Sequence, residues 1–135
     1  MDTGAGHSAV ALQEAMFART RVFREVQRWF ETCDIVATPT LSRTALAIDH
    51  DFFAPIEIDG VPADTVRNAW YPYTLPFNLS GNPAVSLPCG FGSDGLPIGL
   101  QLIGPHLGDA GLLHAAALFE AARPWADRRP PFAGG

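Results

Sequence analysis

Between residues 8 and 40 the apolar period changes once, and that change limits the fold of this chain more than any other feature. Leu12, Met16, Phe23, Val26 and Phe30 recur at steps of four, seven, three and four, the spacing of a single stripe along an α-helix. Ser8 is placed to cap such a helix over residues 8–32, and Glu14, Arg21, Arg24, Arg28 and Glu31 mostly take the rest of its circumference. Immediately afterwards, Asp34-Ile35-Val36-Ala37-Thr38-Pro39-Thr40 is a short apolar run closed by proline, which predicts a buried strand. A helix that feeds a strand through almost no loop predicts an α/β layer.

The remaining elements follow from the same reasoning. Residues 41–63 hold no sustained period and contain Pro55 and Pro62, with a small hairpin predicted around Asp59-Gly60 inside a lid-like surface excursion. Pro72 and Pro76 divide the aromatic segment 64–79 into two short helical pieces. Residues 84–89 alternate, with Val85, Leu87 and Cys89 on one side, and a second strand runs from 96 to 104 after the turn signal Ser93-Asp94-Gly95. Apolar side chains on both faces of that hairpin demand cover on both sides. A last helix is predicted from Asp109, as its cap, through Arg123, with Leu112, Ala116 and Phe119 on one face and Pro124 as its stop. No repeat or linker divides the 135 residues, so one structural unit is expected, with residues 1–7 and 128–135 loose.

Composition excludes several classes. A chain of this length buries about two thirds of its unfolded surface if it folds alone, and 47 % hydrophobic residues rule out a disordered chain. A net charge of −5 argues against a nucleic-acid partner, which needs a basic stripe. No apolar run of about 18 residues is present, so no membrane partner is expected, and a cytoplasmic location is the expectation. Cys33 and Cys89 stand far apart and read as two reduced, partly buried thiols.

All nine basic residues are arginines, and the chain contains no lysine. Nucleophilic hydrolysis needs a nucleophile beside a base. None of the five serines sits in a Gly-x-Ser-x-Gly elbow; Ser80 comes nearest and reads as a helix-end residue, and a Ser-Lys pair is impossible. Asp49-His50-Asp51 is the best metal candidate, yet in an extended chain only the two aspartates point the same way, so no metal is expected. Cys33 as a thiolate nucleophile would need a nearby histidine, and the glycines do not form a phosphate cradle, so no cofactor is expected either.

A longer pattern carries more. Thr74-Leu75-Pro76-Phe77-Asn78-Leu79-Ser80-Gly81-Asn82-Pro83-Ala84-Val85-Ser86-Leu87-Pro88-Cys89-Gly90, followed by Asp94-Gly95-Leu96-Pro97-Ile98-Gly99-Leu100-Gln101-Leu102-Ile103-Gly104-Pro105, resembles the C-terminal part of the amidase signature family. The segment from Asp34 to Thr40 is similar to that family's strand and Pro-Thr turn, and the resemblance runs in order over residues 12–130. It implies a partial amidase signature fold: a long N-terminal helix, a short strand, a β-hairpin and a C-terminal helix taken from a mixed sheet flanked by helices.

The resemblance also implies a chemistry. The family's members cleave carboxylic amides through a Ser, cis-Ser, Lys triad, and some form amidotransferase subunits. The lysine must lose its proton near neutral pH, and arginine, with a pKa above about 12, cannot replace it. No triad position maps onto a residue of this chain, so no catalytic residue is assigned. The pattern implies instead a C-terminal fragment that is inactive alone and meets a small-molecule amide only when a triad-bearing segment completes it. The residues carried over as substrate-channel wall are Thr38, Pro39, Thr40, Tyr71, Thr74, Phe77 and Asn78. Tyr71 stands where the A subunits of amidotransferases commonly have an acidic residue, which favours an amide or aryl-amide hydrolase lineage. A reading of a different class makes the chain a binding or assembly module that associates, with itself or a second segment, through exposed sheet edges. A third makes it an enzyme using Cys33 or the Asp49 and Asp51 pair.

Overall fold

A computed structural model describes residues 4 and 6–129. Its elements, in chain order, are α1 (Ala9–Trp29), β1 (Val36–Pro39), β2 (Pro55–Ile58), β3 (Val61–Thr65), a π-helical turn (Val66–Trp70), α2 (Leu75–Ser80), β4 (Ala84–Phe91), β5 (Pro97–Ile103) and α3 (Asp109–Ala122). This is the α/β arrangement the sequence predicts. Residues 130–135, and 1–3 and 5, lie outside the described part, so most of the two segments expected to be loose is not addressed.

Ser8 caps α1 as expected, its hydroxyl accepting from the Ala11 N–H at 3.1 Å. Three antiparallel strands in the order β1-β5-β4 form the main sheet. The described pairings are therefore all antiparallel. Strand β1 is not the buried strand expected: it lies at the sheet's edge, and its residues alternate between half-buried and exposed. Paired on one side only, it keeps the apolar run the sequence shows without neighbours on its outer flank.

The register sorts side chains onto the two faces. Val85, Leu87, Leu100 and Leu102 point to one face, where Leu112, Ala116 and Phe119 of α3 cover them together with Trp125. Val36 and Ile103 point to the other, where Val26 of α1 and Phe77 of α2 close over them. One face of the hairpin is thus covered by α3 and the other by α1 and α2 only at its Ile103 end, part of the two-sided cover its apolar pattern required. Asp109 is the first residue of α3 and not its cap; Gly108 takes that position, and the Asp109 carboxylate lies in the first turn, where the helix dipole favours it.

The excursion between β1 and α2 is more ordered than its lack of period suggested. Strands β2 and β3 pair through Asp59-Gly60, both at positive φ (52° and 77°), the geometry of a type I′ hairpin. Ile56 and Val66 are both buried, and the hairpin packs against the π-helical turn. Pro72 ends the helical character after Trp70, and α2 starts with Pro76 in its first turn, so the aromatic segment does split into two short pieces. Cys33 is exposed and Cys89 half-buried, and both are free thiols.

Candidate functional site

On the face covered by α1 and α2, the rows of the sheet change character with distance from the helices. The row Val36, Ile103, Ala84 is apolar; the next, Thr38, Gln101, Ser86, is polar. Buried Gln101 sends both protons of its amide nitrogen to protein acceptors, Thr38 Oγ1 and the Tyr73 carbonyl, each at 2.9 Å. That bridge fixes the chain before α2 against the sheet, and a satisfied amide avoids the cost of an unpaired buried polar group.

One row further, the helices no longer reach and a cleft opens. Thr40 continues the ladder past β1, its N–H donating to the Gly99 carbonyl at 2.9 Å. The Thr40 and Ser86 hydroxyls meet at 2.7 Å across the top of Gly99. A Cβ at Gly99 would stand 2.7 Å from Thr40 Oγ1 and 2.9 Å from Ser86 Oγ, so only glycine allows the two hydroxyls to join there.

The loop after Thr40 is tied down residue by residue. Ser42 bonds the carbonyls of Ala69 and Trp70 in the π-helical turn. The Trp70 indole N–H donates to the Arg43 carbonyl at 3.2 Å, and the Arg43 guanidinium donates to the Glu57 carbonyl at 2.7 Å. Thr44 donates to Asp94 Oδ2 at 2.6 Å, which pins the tip of the β4–β5 hairpin. That hydroxyl foremost, then the Leu96 N–H and the Arg43 charge, hold the Asp94 carboxyl below the usual carboxylate range. The resulting open cleft has a volume of about 680 Å³ and is lined by Pro39 to Ala45, Trp70, Ser86, Asp94 and the 97–99 end of β5, among others.

Of the seven residues singled out in the sequence, Pro39 and Thr40 line this cleft. Thr38 lies one row behind, engaged by Gln101. Tyr71 is half-buried with its ring 6.0 Å from that of Trp70, and Thr74 donates its hydroxyl to the Tyr71 carbonyl at 3.1 Å. Phe77 is in the core, edge-on to Trp29 at 6.3 Å, and Asn78 is exposed on α2. Ser86, Gly99, Ser42, Thr44, Trp70 and Asp94 are cleft residues that sequence reasoning did not single out. A glycine in the middle of an apolar strand was the available signal, since it marks close approach by another group.

The other candidates have local explanations. Ser80 is buried at the end of α2, bonded to the Phe77 carbonyl and to Asn82. Asp51 accepts from the Phe53 N–H at 2.9 Å, the contact of an Asx turn.

The family model for Amidase matches residues 2–113. The chain belongs to the amidase family. It is 40 % identical over 97 residues to an acylamidase of Rhodococcus erythropolis, an alignment that takes in 72 % of this chain and 20 % of that protein. It is 34 % identical over 126 residues to the A subunit of the glutamyl-tRNA(Gln) amidotransferase of Thermodesulfovibrio yellowstonii, covering 93 % of this chain and 24 % of that polypeptide. The fold superposes on a bacterial aryl acylamidase of the amidase signature family with a TM-score of 0.78 and 31 % identity, over 96 % of this chain and 27 % of the other. This amidase chain therefore spans about a fifth to a quarter of the length of its relatives. No helix among the described residues is long and apolar enough to cross a membrane.

Proposed function

We propose that this chain forms, as one folding unit, the C-terminal wall of an amide-hydrolysing site, and that it does not hydrolyse amides unaided. The observation that carries this reading is the cleft beyond the end of β1: it is lined with hydroxyls, and no lysine exists in the sequence to serve them as a base. No serine or threonine hydroxyl among the described residues bonds a histidine side chain, and arginine stays protonated at any working pH. A triad-bearing segment has to bring the nucleophile and its base to this wall.

The wall suits a neutral amide. Of its three charged groups, Arg43 is engaged by a backbone carbonyl and Asp94 by Thr44, with Asp59 at the β2–β3 turn as the third, while Trp70 offers an aromatic surface beside free hydroxyl capacity on Thr40 and Ser86. Together with Tyr71 in place of an acidic side chain, this favours carboxylic amides of the aryl class over glutamine. The two unpaired thiols fit a reducing, cytoplasmic setting. The direct test is an assay of the purified chain with acetanilide and benzamide. The expected result is no turnover above a protein-free blank, and hydrolysis that persists through stringent repurification would overturn the reading.

A second reading, association through exposed surface, has its own support in the free outer edge of β1 and in Leu12, Met16 and Phe17, which stand out of α1 uncovered. Under that reading the chain self-associates, and light scattering that finds a monomer at high concentration would remove it.

A further inference from the structure

At the far end of the hairpin from β1's apolar row, the last residues of β4 and the segment after α3 enclose a groove of about 550 Å³ that shares no lining residue with the cleft. We propose that this groove is a second binding site, for a small aromatic carboxylate.

Its floor is aromatic. Phe91 lies at the end of β4, and Trp125, half-buried, packs on the Leu87, Leu102, Leu112 core with part of its surface turned to the groove. Its rim is cationic. The Arg128 N–H donates to the Trp125 carbonyl at 2.9 Å, and this turn lays the guanidinium 4.9 Å from the centroid of the Phe91 ring. Arg123 caps α3 and joins Arg128 in the lining.

Among the described residues, no carboxylate pairs with either arginine. Glu120 and Asp127 are near them in sequence, yet the ion pair found among the described residues is Arg28–Glu25, and neither Arg123 nor Arg128 donates a side-chain hydrogen bond to a described residue. In a chain of net charge −5, two cations without an ion-pair partner among the described residues, beside two aromatic rings, form a local exception that suits an anion. A guanidinium stacked on an aromatic face keeps its in-plane N–H groups free, and that edge matches a carboxylate in a two-pronged bond. The planar part of the ligand then lies on Trp125, beside the Phe91 ring that the guanidinium covers. Two charges and a groove of this size select a small molecule over a nucleic acid, which would need a longer basic track.

The test is a titration of the full, ¹⁵N-labelled chain with benzoate, read from the Trp125 indole N–H and the Arg123 and Arg128 side-chain N–H resonances. Benzoate is expected to shift all three saturably, with benzyl alcohol and acetate each weaker by about tenfold or more. Arg128→Gln should weaken benzoate by about tenfold, and Arg128→Lys by less, because the charge remains and the fork is lost. Both residues are exposed, so these variants fold. The proposal is overturned by unchanged binding to the double variant Arg123→Gln, Arg128→Gln, by benzyl alcohol binding as well as benzoate, by shifts confined to Ser86 and Gly99, or by no shift at the solubility limit.

Discussion

The two halves of α1 share one apolar stripe and meet opposite fates. Toward its C-terminal end, Val26 is buried to 1 % exposure against Phe77 and Ile103, with Val22 and Phe30 packed around it. Toward its N-terminal end, Leu12 is 64 % exposed and Met16 47 %, although they continue the same spacing. A helix of 21 residues is about 32 Å long, and the sheet and α2 cover only its second half. The lesson is that amphipathic spacing announces a helix with something to lie on but does not say whether this chain supplies it. Spanning a fifth to a quarter of its relatives, this chain supplies it for half of the stripe.

That contrast can be broken most easily at the centre of the packed half. Ile103→Ala should destabilise by about 2–5 kcal/mol, whereas Leu12→Ala should change stability by less than about 0.5 kcal/mol, both read from urea unfolding. Equal losses would mean that the N-terminal half is covered in solution. Next in size is the polar latch at the boundary of the packed half. Asn82 accepts from Gln27 of α1 at 2.9 Å and from Ser80 at 2.8 Å, and donates to the Gly104 carbonyl at 2.9 Å. Asn82→Ala strands several of these buried partners and should cost about 1–3 kcal/mol by the same measurement. A loss below that range would show that the Asn82 bonds contribute little to holding α1, beside its apolar contacts and the Arg19–Leu79 and Gln27–His106 bonds.

The smallest effect is electrostatic and sits in the cleft. Because the folded-state pKa of Asp94 is depressed, its contribution to stability is fully present above the unfolded carboxylate value of 3.8 and is lost as pH falls through the folded value. Asp94→Asn should therefore lower stability slightly at neutral pH and flatten the acid limb of the unfolding midpoint as pH falls below the unfolded carboxylate value of 3.8. An unchanged acid limb would mean that the Thr44 contact does not hold the hairpin tip in solution. The group is exposed, so the change is expected to be far smaller than that of Asn82→Ala.

Much of the fold was legible because local signals sufficed for it. Ser8 as cap, Asp59-Gly60 as turn and the two prolines that split the aromatic segment each act through a neighbour a few residues away. What escaped were properties that depend on distant chain. Whether β1 is an edge or a central strand depends on strands that pair beside it, and the alternation of Val36 to Pro39 does not encode that. The cleft was half legible: Pro39 and Thr40 follow from the end of a strand, but the hydroxyl pair over Gly99 joins residues 46 positions apart, and only the register of three strands reveals it. Phe77 shows the reverse difficulty, since one aromatic beside a polar neighbour reads equally as channel wall or as core, and here it fills the core under Val26.

Under the proposed function, the bare half of α1 and the lysine-free cleft share one expectation, that both are completed by a segment carrying the base. Mixing this chain with the lysine-bearing remainder of an aryl acylamidase, and following release of aniline from acetanilide, tests it most directly. The expected result is hydrolysis by the mixture and by neither part alone. Turnover by this chain unaided, or a stable complex of the two that leaves acetanilide intact, would contradict it.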